Sequence, residues 1–336
     1  MLRRWDELSG ARQGRRERSY ALGDARYDPP PLPRKVRRVG KPYFPRLATE
    51  DAALRRSSAD PTAQGFVPKR VLNVRGFVFD NDGTLVHRAG AEVRPVPGAR
   101  EALDAVRASG RPFVVFTNGS HVSPAALARE LRDAGLPVDD EQVLTPLSSV
   151  LVHLERYQEA AVLPFVTAAA RDHLASAGIR LVEGAEGERV DAVFVGIPAG
   201  FDFERLERAA AAVLAGARLL TGSYVASYAG ARGPIFSRGA MTTAAIAKAT
   251  GARPIVVGKP SRAAVRAFER RLGLPAQEVA VIGDDVDADV ALGRLGGSRT
   301  VLVRSGTHGS VDLGRVPERR RPDAVVGGVA ELLDLL

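Results

Sequence analysis

Residues 77–86 read FVFDNDGTLV, an apolar run that ends on two carboxylates one residue apart and then meets a glycine. The stretch from Val71 to Phe79 is rich in Val, Leu and Phe, with Asn73 and Arg75 interrupting its start. It reads as an interior strand of a parallel sheet. Gly83 frees the backbone to turn sharply. Ligands of open α/β sheets bind beyond the carboxyl ends of the strands, and a strand delivering Asp80 and Asp82 there needs a chemical reason. The competing reading is an aspartate-rich turn, because Asn, Asp and Gly dominate turns anyway.

Three further stretches follow their own apolar runs in the same way. Pro112 to Phe116 leads into Thr117, Asn118, Gly119 and Ser120; Pro254 to Val257 into Gly258, Lys259, Pro260 and Ser261; Val279 to Ile282 into Gly283, Asp284, Asp285, Asp287 and Asp289. If all four runs are strands of one parallel sheet, their trailing ends share an edge. That edge gathers carboxylates, a hydroxyl, an amide and a lysine, an inventory suited to phosphoryl transfer on a divalent cation. A phosphomonoester dianion beside Asp80, Asp82 and Asp284 would be repelled by roughly 4 kcal/mol per charge pair at about 4 Å, even at an effective dielectric near 20. Cations are therefore required. Aspartates and carbonyls are hard oxygen donors that suit Mg²⁺, and Lys259 adds a fixed positive charge. The Thr117 hydroxyl and the N-terminus of a helix capped by Ser123 and Pro124 are placed to grip phosphate oxygens.

In that order, DNDGT, TNGS, VGKPS and GDDVDAD resemble the four motifs of haloacid dehalogenase (HAD) superfamily phosphatases, over residues 71–336. The resemblance implies that Asp80 is a nucleophile forming an aspartyl-phosphate and that Asp82 is the acid/base. It implies phosphate binding by Thr117, Asn118 and Gly119, and an orienting and neutralising role for Lys259. Asp284 would hold Mg²⁺ with the Asp80 carboxylate and the Asp82 carbonyl, while Asp285 and Asp289 would act mainly through the metal's waters. Dehalogenases of the superfamily lack an acid at the second position, so Asp82 argues for phosphate esters.

Spacing refines this. Only 36 residues lie between Asp80 and Thr117, whereas Thr117 to Lys259 spans 142 positions, far more than a βαβ unit needs. The intervening chain alternates apolar runs (Ala160 to Val166, Ala192 to Val195) with helical stretches after Thr167 and around Phe203 to Ala215. It resembles the α/β cap of the NagD-like, class IIA branch. The expected fold is thus α/β: a Rossmann-like parallel sheet with helices on both faces, from residues 71–147 and 240–336, plus a smaller inserted α/β cap at 148–239. Arg299 to Val303 reads as a further strand and Val329 to Leu336 as a terminal helix. Many members of the branch carry an Asn-Pro-Asp turn after the last cap strand, where this chain has Gly222, Ser223 and Tyr224. Two readings stay open for Ser223, Tyr224, Tyr228 and Arg232: a different leaving-group pocket, or loop residues with solvated tips.

With 336 residues and 45% apolar content, the chain can bury a large core. There are no cysteines, which excludes disulfides, thiolate metal sites and a cysteine nucleophile. The five histidines show no metal-ligand spacing, and His121 reads as lining the entrance. No apolar run approaches the roughly 20 residues of a membrane span, so no membrane partner is expected. The net charge of +9 comes from residues 1–70, which hold 17 Lys+Arg against 8 Asp+Glu; the remaining 31 basic and 31 acidic residues cancel. With PPPLP and RKVRR, that segment reads as an extended arm, either solvated or bound to an acidic partner.

The expected activity is Mg²⁺-dependent hydrolysis of a small phosphorylated metabolite in the cytoplasm. Phosphotransfer to an acceptor other than water, or a binding and assembly role using the arm, are the alternatives. Similar proteins commonly pair through the cap, so a homodimer is a further expectation.

Overall fold

The computed structural model describes residues 73–89, 92–157, 159–230, 233–306 and 309–334. The basic arm, Arg232 and His308 lie outside the described residues, as does the side chain of Tyr228.

Two parallel sheets carry the chain. The first has six strands in the order Ala324–Val326, Arg299–Val303, Val279–Gly283, Gly76–Phe79, Phe113–Phe116 and Val143–Leu144. Successive side chains of a strand point to opposite faces, and here both faces are apolar. Phe77, Phe79, Val115 and Ile282 pack with Leu103 of helix Ala99–Ala108 and with Leu127 and Leu131 of helix Pro124–Asp133. Val78, Val114 and Val281 face the other way, onto Phe268 of helix Arg262–Leu272 and Leu292 of helix Ala291–Gly296. Helices on both faces explain why these strands read as unbroken apolar runs.

The second sheet has five strands in the order Ile255–Val256, Arg218–Thr221, Ala192–Val195, Ala161–Phe165 and Arg180–Leu181, again all parallel. Phe194 and Leu220 pack toward helix Pro146–Leu154, and Val193, Val195 and Leu219 toward Val213 and Ile246 of helices Phe203–Leu214 and Arg238–Thr250.

One expectation is corrected here. The apolar run at 254–257 does not join the sheet of the other three motif strands. Ile255 and Val256 pair with Leu220 and Thr221 and form the edge of the second sheet. The preceding helix already packs on that sheet through Ile246, so the chain has no route to the first sheet until it has passed Val257. The terminal segment also differs: Val329–Asp334 is a 3₁₀ helix, anchored by Val329 and Leu332. No described helix is long and apolar enough to cross a membrane.

Helix Pro146–Leu154 ties the sheets together. Its start is fixed by a capping box between Thr145 and Ser148 and by proline in the first turn. Leu147, Val150 and Leu154 enter the core of the second sheet, while Val152 enters that of the first. Leu147 is fully buried. Leu147→Ala is expected to lower the unfolding free energy by about 2–5 kcal/mol, read as a fall in the urea midpoint; an unchanged midpoint would deny the helix this seam role.

Candidate active site

The strand Gly76–Phe79 lies between Val279–Gly283 and Phe113–Phe116, and the strand order reverses direction beside it. A crevice at the carboxyl edge is forced at such a point. Asp80 and Asp284 arrive there from adjacent strands, and the Asp80 N–H donates to the Ile282 carbonyl at 2.8 Å.

Asp80, Asp284 and Asp289 are all buried and offer one carboxylate oxygen each within 4.8 Å of one another. Between Asp80 and Asp289 sits the Lys259 ammonium, donating to Asp80 Oδ1 at 2.6 Å and to Asp289 Oδ1 at 2.7 Å. Burial acts to lower Lys259, but Asp289 and Asp80 more than offset it and hold the ammonium above its ordinary value. Burial pushes the Asp80 carboxyl up to about 7 against the pull of Lys259, with Asp289 adding to the rise. Asp289 is likewise pushed up to about 6 by burial, against Lys259 and with Asp284 and Asp285 adding. Three carboxylates thus share a desolvated cluster with the Lys259 ammonium. Each like pair at this range is worth roughly 3–4 kcal/mol of repulsion at an effective dielectric of 20, and a divalent cation held by the hard oxygen donors Asp80 and Asp284 would offset it.

Glycines shape this cluster. Gly83 has φ of 87°. A Cβ at Gly83 or at Gly306 would overlap the Asp284 carboxylate, and one at Gly283 would overlap Asp289. The loops therefore close on the acids to a distance only hydrogen allows. Ser305 Oγ donates to the Gly83 carbonyl at 2.7 Å and pins one loop to the other.

Asp82 differs from Asp80. Its side chain is about half exposed, at 48%. Oδ1 accepts from Arg88 Nε at 2.7 Å, and Oδ2 from Asn81 Nδ2 at 3.2 Å and Thr117 Oγ1 at 3.4 Å. Thr117 Oγ1 also accepts from the Gly119 N–H at 3.0 Å. The structure thus brings Asp80, Asp82, Thr117, Lys259, Asp284 and Asp289 to one edge. Helix Pro124–Asp133 begins as the sequence indicates, with Ser123 as its cap and Pro124 in its first turn.

Other expected site residues are engaged locally. Asn118 makes a reciprocal pair with the Lys259 backbone, donating from Nδ2 to its carbonyl at 2.9 Å and accepting its N–H on Oδ1 at 2.8 Å. It orients the lysine segment. Asp285 Oδ1 accepts from the N–H groups of Asp287 at 2.6 Å and Ala288 at 3.0 Å, capping the turn that carries Asp289. Its carboxylate is outside the Asp80–Asp284–Asp289 cluster. The Ser223 carbonyl accepts from Thr221 Oγ1, and Tyr224 is exposed. Their loop nevertheless passes close to the site, since the Gly258 N–H donates to the Gly222 carbonyl at 3.1 Å, one residue before Lys259.

Sequence reasoning assigned no role to Thr84, Arg88 and Glu130, and read Ser305 and Gly306 only as the start of a loop on the sheet's active edge, where they meet Gly83 and Asp284. Thr84 is buried and donates to Asp80 Oδ2 at 3.2 Å. Its signal was its place inside DNDGT; Arg88 and Glu130 carried none, because they meet only through the fold.

Two family models match the chain: haloacid dehalogenase-like hydrolase over residues 77–180 and HAD-hydrolase-like over residues 256–332. A dihydroxyacetone phosphatase of Corynebacterium glutamicum is 28% identical over 259 residues, 77% of this chain and 90% of that protein. The ribonucleotide monophosphatase NagD of Escherichia coli is 28% identical over 263 residues, 78% of this chain and 99% of that protein. Among solved structures, the p-nitrophenyl phosphatase of Archaeoglobus fulgidus superposes with a TM-score of 0.70 at 29% identity, over 79% of this chain and all of that one. The glycerol phosphate phosphatase Rv1692 of Mycobacterium tuberculosis, in complex with magnesium, gives 0.68 at 28% identity, over 78% of this chain and 77% of that one.

If the acidic cluster holds a divalent cation, adding magnesium chloride at about a hundred times its dissociation constant should stabilise the wild-type chain by about 2.7 kcal/mol. Calorimetry should show the melting temperature rising for the wild type and not for Asp284→Asn. An equal rise in both would place the ion elsewhere.

Proposed function

We propose that this chain, which belongs to the haloacid dehalogenase superfamily and to its NagD-like phosphatase branch, hydrolyses a small phosphomonoester through a phosphorylated Asp80. The observation that carries the reading is the meeting of Asp80, Lys259, Asp284 and Asp289 in one buried cluster. The phosphatase names of its relatives and neighbours agree with it.

In the first step an Asp80 carboxylate oxygen attacks phosphorus and the bond to the ester oxygen breaks, while Asp82 gives that oxygen a proton. In the second, water attacks the same phosphorus, its proton passes to the Asp82 carboxylate, and the Asp80–phosphorus bond breaks. Inorganic phosphate and an alcohol result, with both aspartates restored. Splitting one displacement into two lowers each barrier. Lys259 holds Asp80 in place and would face the charge of the phosphoryl group, Thr117 and Gly119 would exchange their present contact with each other for its oxygens, and Asn118 keeps the lysine segment in register. The Asp80 and Asp284 carboxylates, which share the buried cluster, would hold Mg²⁺ together with the Asp82 carbonyl that the resemblance implies, and when bound the ion would supply the positive charge that lets an anionic ester enter.

The second sheet is suited to cover the site and select the alcohol. Its trailing ends meet the phosphate loop: Thr167 Oγ1 donates to the His121 carbonyl at 2.7 Å, and Gly196 and Gly222 lie against Ser120 and Gly258.

Phosphate release from a broad panel of phosphate esters with Mg²⁺ should detect activity that falls at least about a thousandfold in Asp80→Asn. Acid quenching should trap a phosphorylated chain in the wild type alone. Hydrolysis that persists in Asp80→Asn would remove it as nucleophile.

A further inference from the structure

Arg88 is not in any of the four motifs, yet it makes the charged contact to Asp82. It stands in the hairpin of Val86–Ala89 and Glu92–Pro95 that follows directly on the catalytic loop. The hairpin is anchored at its root, where the Gly83 N–H donates to the Val86 carbonyl and the Val86 N–H to the Asn81 carbonyl. Val86 is fully buried and His87 exposed, so Arg88, two residues beyond Val86, is on the inward face. Its guanidinium is then held from behind: Nη1 and Nη2 donate to the two Glu130 oxygens at 2.6 and 3.1 Å, from helix Pro124–Asp133. That helix begins just after the phosphate-gripping loop. Nε is left to donate to Asp82 Oδ1 at 2.7 Å. Two-point fixation by Glu130 is the geometry in which an arginine has least freedom.

The two oxygens of Asp82 are thereby made unequal. Oδ1 is engaged by the Arg88 Nε–H and turned toward the hairpin. Among the described residues Oδ2 accepts from the neutral donors Asn81 and Thr117, the latter in the phosphate loop.

From this geometry we infer that Arg88, braced by Glu130, is the positioning residue for Asp82, fixing Oδ2 as the oxygen that exchanges a proton with the ester's leaving oxygen. The inference rests on the acid/base reading of Asp82 given above. Arg88 touches neither phosphorus nor alcohol in this scheme. It acts through the carboxylate it orients.

The test compares kcat/KM, which reports events up to departure of the alcohol, for p-nitrophenyl phosphate and for the fastest alkyl phosphate found with the wild-type chain, both with Mg²⁺. Nitrophenolate leaves without a proton, whereas an alkoxide needs one. Positioned acid catalysis contributes on the order of 10²–10⁴, so Arg88→Met should lower the alkyl value by about tenfold to a hundredfold and the nitrophenyl value by less than about threefold. Arg88→Lys should recover part of the alkyl rate, and Glu130→Gln should fall between wild type and Arg88→Met. If Arg88→Met does not fold, the alkyl-to-aryl ratio in Arg88→Lys and Glu130→Gln decides. An equal loss for both esters, or no loss, overturns the inference. Asp80→Asn run alongside separates the two claims: if it stays active, the reading of the site fails; if it is inactive while the ratio in the Arg88 variants is unchanged, only the role of Arg88 fails.

Discussion

The position of one ammonium group governs this molecule. Lys259 Nζ lies between two buried carboxylates far from it in sequence, Asp80 at the end of a strand, 179 residues away, and Asp289 in the turn Val286–Val290, 30 residues away. Removing three carboxylates from water costs several kcal/mol each unless they are paired, so the loops carrying them have little freedom once the lysine is seated. The route by which the lysine arrives matters as much. Ile255–Val256 is the edge of the second sheet, Gly258 lies against Gly222 of the same sheet, and Ser261 then caps the helix that packs on the first sheet. A four-residue passage therefore carries the chain from one sheet to the other with Lys259 within it. Any displacement between the sheets must act on Lys259, and Asn118 resists it by gripping the backbone on both sides of that residue.

Close approach is the second constraint. Gly83 and Gly306 from two loops and Gly283 from the end of the strand Val279–Gly283 meet the Asp284 and Asp289 carboxylates where a methyl group would collide. Such contact shields the acids from water and keeps their oxygens aimed at one point, which a preorganised electrostatic site demands. The sequence signals this at Gly83 and Gly283 through their motif positions. Gly306 sits in a loop after the strand Arg299–Val303, and nothing in its neighbours marks it as facing an acid.

The strands of the first sheet were legible because burial on both faces leaves an unbroken apolar run, and the acids were legible because they follow those runs at once. What an apolar run does not encode is which sheet it joins. Ile255 and Val256 would suit either, and the packing of Ile246 decides. Residue type also leaves roles open: an asparagine beside a phosphate loop can bind the ligand or the backbone, and an aspartate beside a metal cluster can hold the ion or cap a turn. Asn118 pairs with the Lys259 backbone and Asp285 caps a turn, contacts that residue type alone does not announce. Arg88 was illegible for another reason, since its meaning depends on Glu130, 42 residues further on.

Asp80 and Asp82 are separated by one residue and live in different media. Asp80 is sealed against Lys259 and Thr84, with its carboxyl pushed up by burial. Asp82 stands half in solvent on the arginine of a hairpin. In the proposed mechanism Asp80 meets phosphorus, and exclusion of water would keep its carboxylate from being solvated out of position. A proton carrier has the opposite need, since it must reach an alcohol leaving toward solvent and a water entering from it. Strand alternation alone would set both side chains on one face. The turn at Gly83 and the hairpin that follows separate their environments, so two like residues can perform unlike tasks.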